Sequence, residues 1–219
     1  MIEVKGKNIS VIGAARSGLG AAKLIKKLGG IPFVSDSGEE ARLSKAKTVL
    51  TDEKIKFEMN GHTEKVYDCS LMVVSPGVPS DAEVLINARH KKTKIISEVE
   101  LAYHYCTGRI IAITGTHGKT TTTSLCGHDF NTCGIKTHVA GNIGLAFSEV
   151  VLEVNASDFV ALEVSSFQLD LIDKFKPSAA IILNITPDHL NRYENSLQKY
   201  AESKHRIYDN QDENDFLIL

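Results

Sequence analysis

Residues 111–123, I-A-I-T-G-T-H-G-K-T-T-T-T, constrain this chain more than any other stretch: an apolar strand-like run breaks into Gly115-Thr116-His117-Gly118-Lys119-Thr120 and continues into a helical segment. This order describes a phosphate-binding loop. Its glycines let successive backbone N–H groups turn around phosphate oxygens, and the following helix presents its positive end. Lys119 adds a point charge, and Thr120 offers a hydroxyl to Mg²⁺. A nucleoside triphosphate is the expected guest. Only Thr116 and His117 separate the two glycines, where the general pattern has four residues, so the loop is a short variant.

Upstream, residues 8–12 (N-I-S-V-I) form a buried-type strand, followed by the Gly-rich turn 13–20, a helix over 21–28 and a second strand over 31–35 that stops at Asp36. That βαβ start, with an acidic residue at the tip of the second strand, is where a nucleotide sits in a doubly wound sheet. The glycines at 13, 18 and 20 do not give G-x-G-x-x-G, which speaks against a dinucleotide. Either they serve helix–strand packing, or a nucleotide diphosphate lies over Arg16-Ser17-Gly18. The strand over 71–75 ends in Pro76-Gly77-Val78-Pro79, a rigid loop at the sheet edge where ligands bind. A helix over 81–91, a strand over 94–97 and a helix over 98–105 lead to Thr107-Gly108.

Beyond that point the pattern restarts. A strand over 109–113 feeds the phosphate loop, whose helix runs to about Cys133 and is capped by Gly134. Strands over 136–140, 158–164 and 179–183 follow, with helices over 145–152 and 196–210 and a last apolar strand over 215–219. Strands alternating with helices predict parallel sheets. The fold class is α/β, a Rossmann-like parallel-sheet domain over 1–107 followed by a P-loop ATPase-type α/β domain over 108–219. The abrupt apolar ending, Phe216-Leu217-Ile218-Leu219, reads as a fragment boundary, with the second domain truncated there.

Lys and Arg number 25 against 27 Asp and Glu, a formal charge of -2, so no basic field argues for nucleic acid or an anionic membrane. Small-molecule partners are expected. Cys69, Cys106, Cys126 and Cys133 form no C-x-x-C pair, and the spacing of the last two suggests free thiols packed on one helix face. Reduced thiols fit a cytoplasmic location. No apolar signal core opens the chain and no run of about 18 apolar residues occurs in it, so a soluble protein without a cleaved export signal is expected.

Three side chains carry candidate chemistry. Glu163 ends an apolar strand beside the phosphate loop, a place from which a carboxylate either holds Mg²⁺ or faces solvent. His189 follows Pro187-Asp188 at the end of the next apolar strand and so opens at the same sheet edge. Lys204 falls in the apolar stripe Leu197, Tyr200, Ala201, Ile207, Tyr208, where an ammonium is costly unless paired or changed. Either its long stem snorkels to water, or the amine is neutral and reacts with carbon dioxide to give an anionic, metal-ligating carbamate.

The motifs G-A-A-R-S-G, S-P-G-V-P, I-S-E-V-E-L, I-T-G-T-H-G-K-T-T-T, A-G-N-I-G, L-E-V-S-S-F-Q-L, N-I-T-P-D-H-L-N-R-Y and Y-A-E-S-K-H-R-I-Y run through essentially the whole chain. Together they resemble the Mur ligases of peptidoglycan synthesis. The resemblance implies a first domain for a UDP-sugar, a central ATPase domain and a third domain that this chain lacks. It also implies an ATP-dependent amide ligase. ATP would phosphorylate the carboxylate of UDP-N-acetylmuramoyl-L-alanine, and an incoming D-glutamate amine would displace phosphate.

By resemblance, Gly115, Thr116, His117, Gly118, Lys119, Thr120 and Thr121 would bind ATP. Thr120 and Glu163 would hold one Mg²⁺, and His189 with carbamylated Lys204 a second. Asn142 would contact phosphates or the substrate carboxyl. Arg16, Ser17, Asp36, Ser37, Pro76 and Gly77 would bind the UDP-muramoyl substrate. Lys119, Asn142, His189 and Lys204 are the implied catalytic set, in a monomer with no nucleic-acid or membrane partner.

Within the family, L-E-V-S-S-F-Q-L and S-P-G-V-P favour D-glutamate as the added amino acid, whereas His117 is more typical of the L-alanine-adding member. A nucleotide-binding module without ligase activity is a second reading, and the fragment alone is expected to bind without turnover. A nicotinamide-dependent oxidoreductase is a third, disfavoured by the missing G-x-G-x-x-G and by a phosphate loop that would have no task.

Overall fold

The structure is a computed structural model describing residues 1–39, 41 and 43–219. Two five-stranded sheets, parallel throughout, organise it. The first contains β1 (Asn8–Ile12), β2 (Ile31–Ser35), β3 (Lys56–Glu58), β4 (Leu71–Val74) and β5 (Ile95–Ser97) in the order β3-β2-β1-β4-β5. The second contains β6 (Arg109–Thr114), β7 (Thr137–Gly141), β8 (Phe159–Glu163), β9 (Ala179–Ile182) and β10 (Phe216–Ile218) in the order β10-β9-β6-β8-β7. Their inner strands are largely apolar because both faces are covered, as parallel sheets with crossover helices require. Leu71–Val74 is buried at every position.

The helices are α1 (Arg16–Lys27), α2 (Ser44–Asp52), α3 (Glu83–His90), α4 (Glu98–Tyr103), α5 (Lys119–Thr132), α6 (Phe147–Val150), α7 (Ser166–Leu169) and α8 (Leu197–His205). One apolar core runs through both halves, from Ile9, Val11, Leu24 and Ile25 through Leu101 and Phe147 to Leu162, Phe175 and Ile207, and a second, with Ile12, Met72, Val74 and Leu85, lies within the first half. Buried carboxylates reinforce the seam. Glu100 accepts the backbone N–H groups of Asp173, Lys174 and Phe175, each at 2.9 Å. Glu98 accepts that of Ser148 at 2.6 Å, and burial pushes its carboxyl above the usual carboxylate range.

Several boundaries differ from the sequence expectation. Helix α1 starts at Arg16, not Ala21, because Gly18 and Gly20 belong to the helix and supply close approach rather than a turn. A Cβ on Gly18 would lie 1.8 Å from the Gly13 carbonyl oxygen, and one on Gly20 would lie 2.6 Å from Ser148 Oγ. The expected helices over 145–152 and 196–210 are shorter, and each continues as a 3₁₀ turn, Val151–Glu153 and Arg206–Tyr208. Neither α2, which buries only Ala46 and Leu50, nor the three-residue β3 had a periodic signal strong enough to see. The four cysteines are free, but the shared packing expected of Cys126 and Cys133 does not occur. Cys133 lies past the last residue of α5 and is exposed.

Candidate active site

The phosphate loop is built between β6 and α5. Gly115 at φ +154° and Gly118 at φ +82° take backbone conformations that side chains resist, which explains why glycine stands at each. The first-turn N–H groups of α5 have no intrahelical acceptor, and the positive end of the helix lies behind them. Two N–H groups of the loop are engaged elsewhere. That of Thr116 donates to the Asn184 carbonyl at 3.0 Å and that of His117 to Asn184 Oδ1 at 2.9 Å, while Asn184 Nδ2 returns a bond to the His117 carbonyl at 3.1 Å. Thr116 Oγ1 accepts the Thr186 N–H at 3.0 Å. The segment after β9 is thus laced to the loop, and Asn184, which opens the N-I-T-P-D-H-L-N-R-Y motif, is a contributor to which the sequence gives no role.

Lysines gather around the loop carbonyls. Lys119 Nζ donates to the carbonyls of Gly115 and Thr116, both at 2.9 Å. Lys204 Nζ also donates to the Gly115 carbonyl at 2.9 Å, lies 4.4 Å from the Tyr200 ring centroid and is 1% exposed. Its stem therefore does not snorkel to water. Burial, aided by the Lys119 ammonium, pulls the Lys204 pKa down to about 8, with Asp188 and Asp170 opposing.

Glu163 is also buried, at 1% exposure, which removes the solvated-edge alternative. Oε2 accepts from Thr120 Oγ1 and Oε1 from Asn142 Nδ2, both at 2.9 Å. The Asn142 N–H donates to the Glu163 carbonyl at 2.9 Å. Three candidates from distant stretches are thus one hydrogen-bonded cluster, set by the β6–β8–β7 pairing. His189 is more open: its side chain is 61% exposed, its backbone is left-handed at φ +49°, and Nε2 lies 3.6 Å from Asp188 Oδ2. Thr121 is exposed on the first turn of α5 and makes none of the described side-chain contacts.

Two cavities adjoin. One of about 320 Å³ is bordered by Lys119, Asn142, Phe167, His189 and Lys204, among others. One of about 620 Å³ lies over the first sheet, with Arg16, Ser17, Asp36, Ser37 and His62 on its walls. Pro76, Gly77 and Asn142 border both. Asp36 is committed to shaping the rim: Oδ2 accepts the Ala14 N–H at 2.6 Å and Oδ1 that of Gly38 at 2.7 Å. The Arg16 guanidinium reaches across to the other half, donating to the carbonyls of Gly144 at 2.6 Å and Gly141 at 3.2 Å. Arg192 makes a second tie, donating to the Val78 carbonyl at 3.0 Å while stacking 4.2 Å from the Phe167 ring. Neither arginine contact has a sequence signal, since each joins residues more than a hundred positions apart.

Among the described residues no cluster of three or more His, Cys, Asp or Glu could enclose a metal by itself. The Thr120–Glu163 oxygen pair nevertheless suits Mg²⁺, which takes one or two protein oxygens and completes its shell with phosphates and water.

A parallel α/β protein with a Gly-rich strand-to-helix loop at one sheet edge, and a second cavity sharing a wall with it, has the architecture of the doubly wound nucleotide-binding class. The comparisons with known proteins narrow that class. Residues 9–84 match the MurD N-terminal domain and residues 113–219 the Mur ligase middle domain. The chain belongs to the Mur ligase family. It is 44% identical over 221 residues to the UDP-N-acetylmuramoylalanine–D-glutamate ligase of Salinibacter ruber, covering 99% of this chain and 48% of that one. It is 45% identical over 219 residues to the ligase of the same name from Koribacter versatilis, covering 100% of this chain and 48% of the other. It therefore spans about half the length of these relatives.

In fold it is similar to the UDP-N-acetylmuramate:L-alanyl-gamma-D-glutamyl-meso-diaminopimelate ligase of Neisseria meningitides, with a TM-score of 0.65 at 19% identity over 97% of this chain and 70% of that one. The UDP-N-acetylmuramate-alanine ligase of Thermotoga maritima aligns with a TM-score of 0.58 at 21% identity, covering 92% and 46%.

Proposed function

We propose that this chain forms the UDP-sugar- and ATP-binding portion of a ligase that adds D-glutamate to UDP-N-acetylmuramoyl-L-alanine. One observation carries the reading: the larger cavity and the cavity at the phosphate loop share Pro76, Gly77 and Asn142 as a common wall. A ligand extended along both would bring its far end beside Lys119. The names of the 44–45% identical relatives favour D-glutamate over the L-alanine alternative raised by His117. We divide the chain at 107/108, with the muramoyl nucleotide on the first portion and ATP on the second. We place it in the cytoplasm, as a monomer acting on small molecules. No described helix is long and apolar enough to cross a membrane.

In this reading the first turn of α5 and Lys119 bind the ATP phosphates, with Lys119 leaving the Gly115 and Thr116 carbonyls to do so. Asn142 orients Glu163 and borders the reacting carboxylate, and Arg16, Ser17, Asp36, Ser37, Pro76 and Gly77 hold the UDP-muramoyl end. Thr120 and Glu163 would hold one Mg²⁺. An ammonium has no lone pair for a metal and Mg²⁺ prefers oxygen to an amine nitrogen, so a second ion beside His189 would be held by Lys204 as its carbamate. The lowered Lys204 pKa raises the fraction of neutral, nucleophilic amine available to carbon dioxide. Bound magnesium would neutralise the charge that develops as phosphate is transferred to the substrate carboxylate.

Calorimetric titration of this chain with UDP-N-acetylmuramoyl-L-alanine, beside NADH, tests the reading. Saturable binding of the muramoyl nucleotide alone is expected. Binding of NADH instead would overturn it in favour of a dinucleotide fold.

A further inference from the structure

His62, which no motif singled out, borders the larger cavity and is held in one orientation by a relay of three side chains. Ser35 Oγ lies 2.8 Å from Glu58 Oε1, 3.4 Å from the Gly61 carbonyl and 2.7 Å from His62 Nδ1. Glu58 also accepts the Thr63 N–H at 2.9 Å and the Thr63 hydroxyl at 2.6 Å, so it acts as an acceptor throughout. Those hydrogen bonds hold its carboxyl below the usual range, against the opposing cost of burial.

The Ser35 hydroxyl has a single proton, and both oxygen neighbours can only accept it. The short contact to Nδ1 is then a bond that Nδ1–H donates to Ser35. Burial also pulls the imidazole below its ordinary pKa, against the nearby Glu58 and Asp36 carboxylates, so the ring is neutral at neutral pH. A neutral ring carrying its proton on Nδ1 leaves Nε2 with a lone pair. Nε2 makes none of the described hydrogen bonds, and the imidazole stands on the cavity wall with Asp36 and Ser37.

In a doubly wound sheet the phosphates of a nucleotide lie at the first helix N-terminus, and the nucleoside extends toward the tip of the second strand. Arg16 and Ser17 mark the first place here, and Asp36, Ser37 and His62 the second. Resting on the UDP-sugar reading above, we infer that His62 reads the base of a uridine nucleotide, with Nε2 accepting the imide N–H at N3. Cytosine presents a lone pair at that position and would meet another lone pair. The Glu58–Ser35–His62 relay is therefore a specificity device, in which Ser35 and Glu58 position the ring and His62 makes the contact.

The test measures UDP and CDP binding to the chain and to His62→Ala by calorimetry. The parent should prefer UDP by about tenfold or more, as a site built to accept one hydrogen bond does. His62→Ala should bind both within about twofold of each other. No preference in the parent, or an undiminished preference in His62→Ala, would overturn the role of His62 while leaving a uridine nucleotide in the cavity. Failure of the folded parent to bind UDP or UDP-N-acetylmuramoyl-L-alanine would instead overturn the UDP-sugar reading and this inference with it. Nitrogen-15 NMR of the parent imidazole supplies a check independent of any variant's folding. The Nδ1–H tautomer is expected, and the Nε2–H tautomer would overturn the proposal.

Discussion

The chain uses the same local design twice, a parallel strand breaking through glycines into a helix, and Gly18 in the first turn and Gly118 in the second show two different reasons for glycine. At Gly18 the constraint is space. A Cβ on Gly18 would sit 1.8 Å from a backbone oxygen, whereas Gly13 combines both constraints, with φ +93° and 2.8 Å from an added Cβ to Ser75 Cβ. At the phosphate loop the constraint is conformation. Added Cβ atoms on Gly115 and Gly118 would meet nothing closer than 3.1 and 3.5 Å, but both residues have positive φ. The first turn is a packing joint that frames a cavity. The second is a charged cradle whose carbonyls are held by Lys119 and Lys204.

The largest expected effect falls on the cradle. In the full-length enzyme Lys204→Ala should lower ligation by about 10³-fold, the scale of losing a preorganised charge, and added bicarbonate should not restore it. Ligation assays reporting parent-level turnover would end the carbamate reading. At the joint, Gly18→Ala should cost about 3 kcal/mol of folding stability through overpacking against backbone. Gly118→Ala should cost about 1 kcal/mol, from its left-handed conformation alone. Urea denaturation of the two variants measures that gap, and equal losses would erase the proposed contrast between turns.

A smaller effect should follow at the seam between loop and sheet. Asn184→Ala removes the paired contacts to His117, and ATP affinity measured by calorimetry should weaken about tenfold. Unchanged affinity would mean that the glycines alone shape the loop.

The smallest lies away from both turns. Asp158 accepts from His138 Nε2 at 3.0 Å and pairs with Lys136 Nζ at 2.9 Å, and these partners hold its carboxyl well below the ordinary 3.8. A depressed carboxylate contributes stability above its unfolded value and loses it as pH falls toward the folded one. Asp158→Asn should therefore flatten the acid limb of the stability profile below about pH 4, without moving either cavity. A parallel acid limb in the variant would assign that loss to other carboxylates.

Much of this was legible in one dimension. Strands β1 and β2, with β6 ending a residue later and β4 and β9 each ending a residue earlier, and the parallel α/β class follow from largely apolar runs that a sheet covered on both faces can bury. The positions of Lys119, Glu163 and His189 at one sheet edge follow from their places at strand ends. The start of α1 was missed because glycine within a helix looks like a turn until its neighbours are known. The mutual bonding of Thr120, Glu163 and Asn142 was invisible because it depends on which strands become neighbours. Lys204 was conspicuous in its apolar stripe, but its partner, the Gly115 carbonyl, was not.

Sequence by itself determined the elements and the chemistry available at their ends, since hydrophobic period, glycine placement and residue type act locally. Tertiary structure alone decided the partners: Asn184 on the phosphate loop, Arg16 and Arg192 across the seam, Ser35 behind His62. Each of these contacts joins groups that are distant along the chain or lie on separate elements. A hydrogen bond of 2.6 to 3.2 Å is satisfied only after the strand order has been set, and no spacing along the chain encodes that distance.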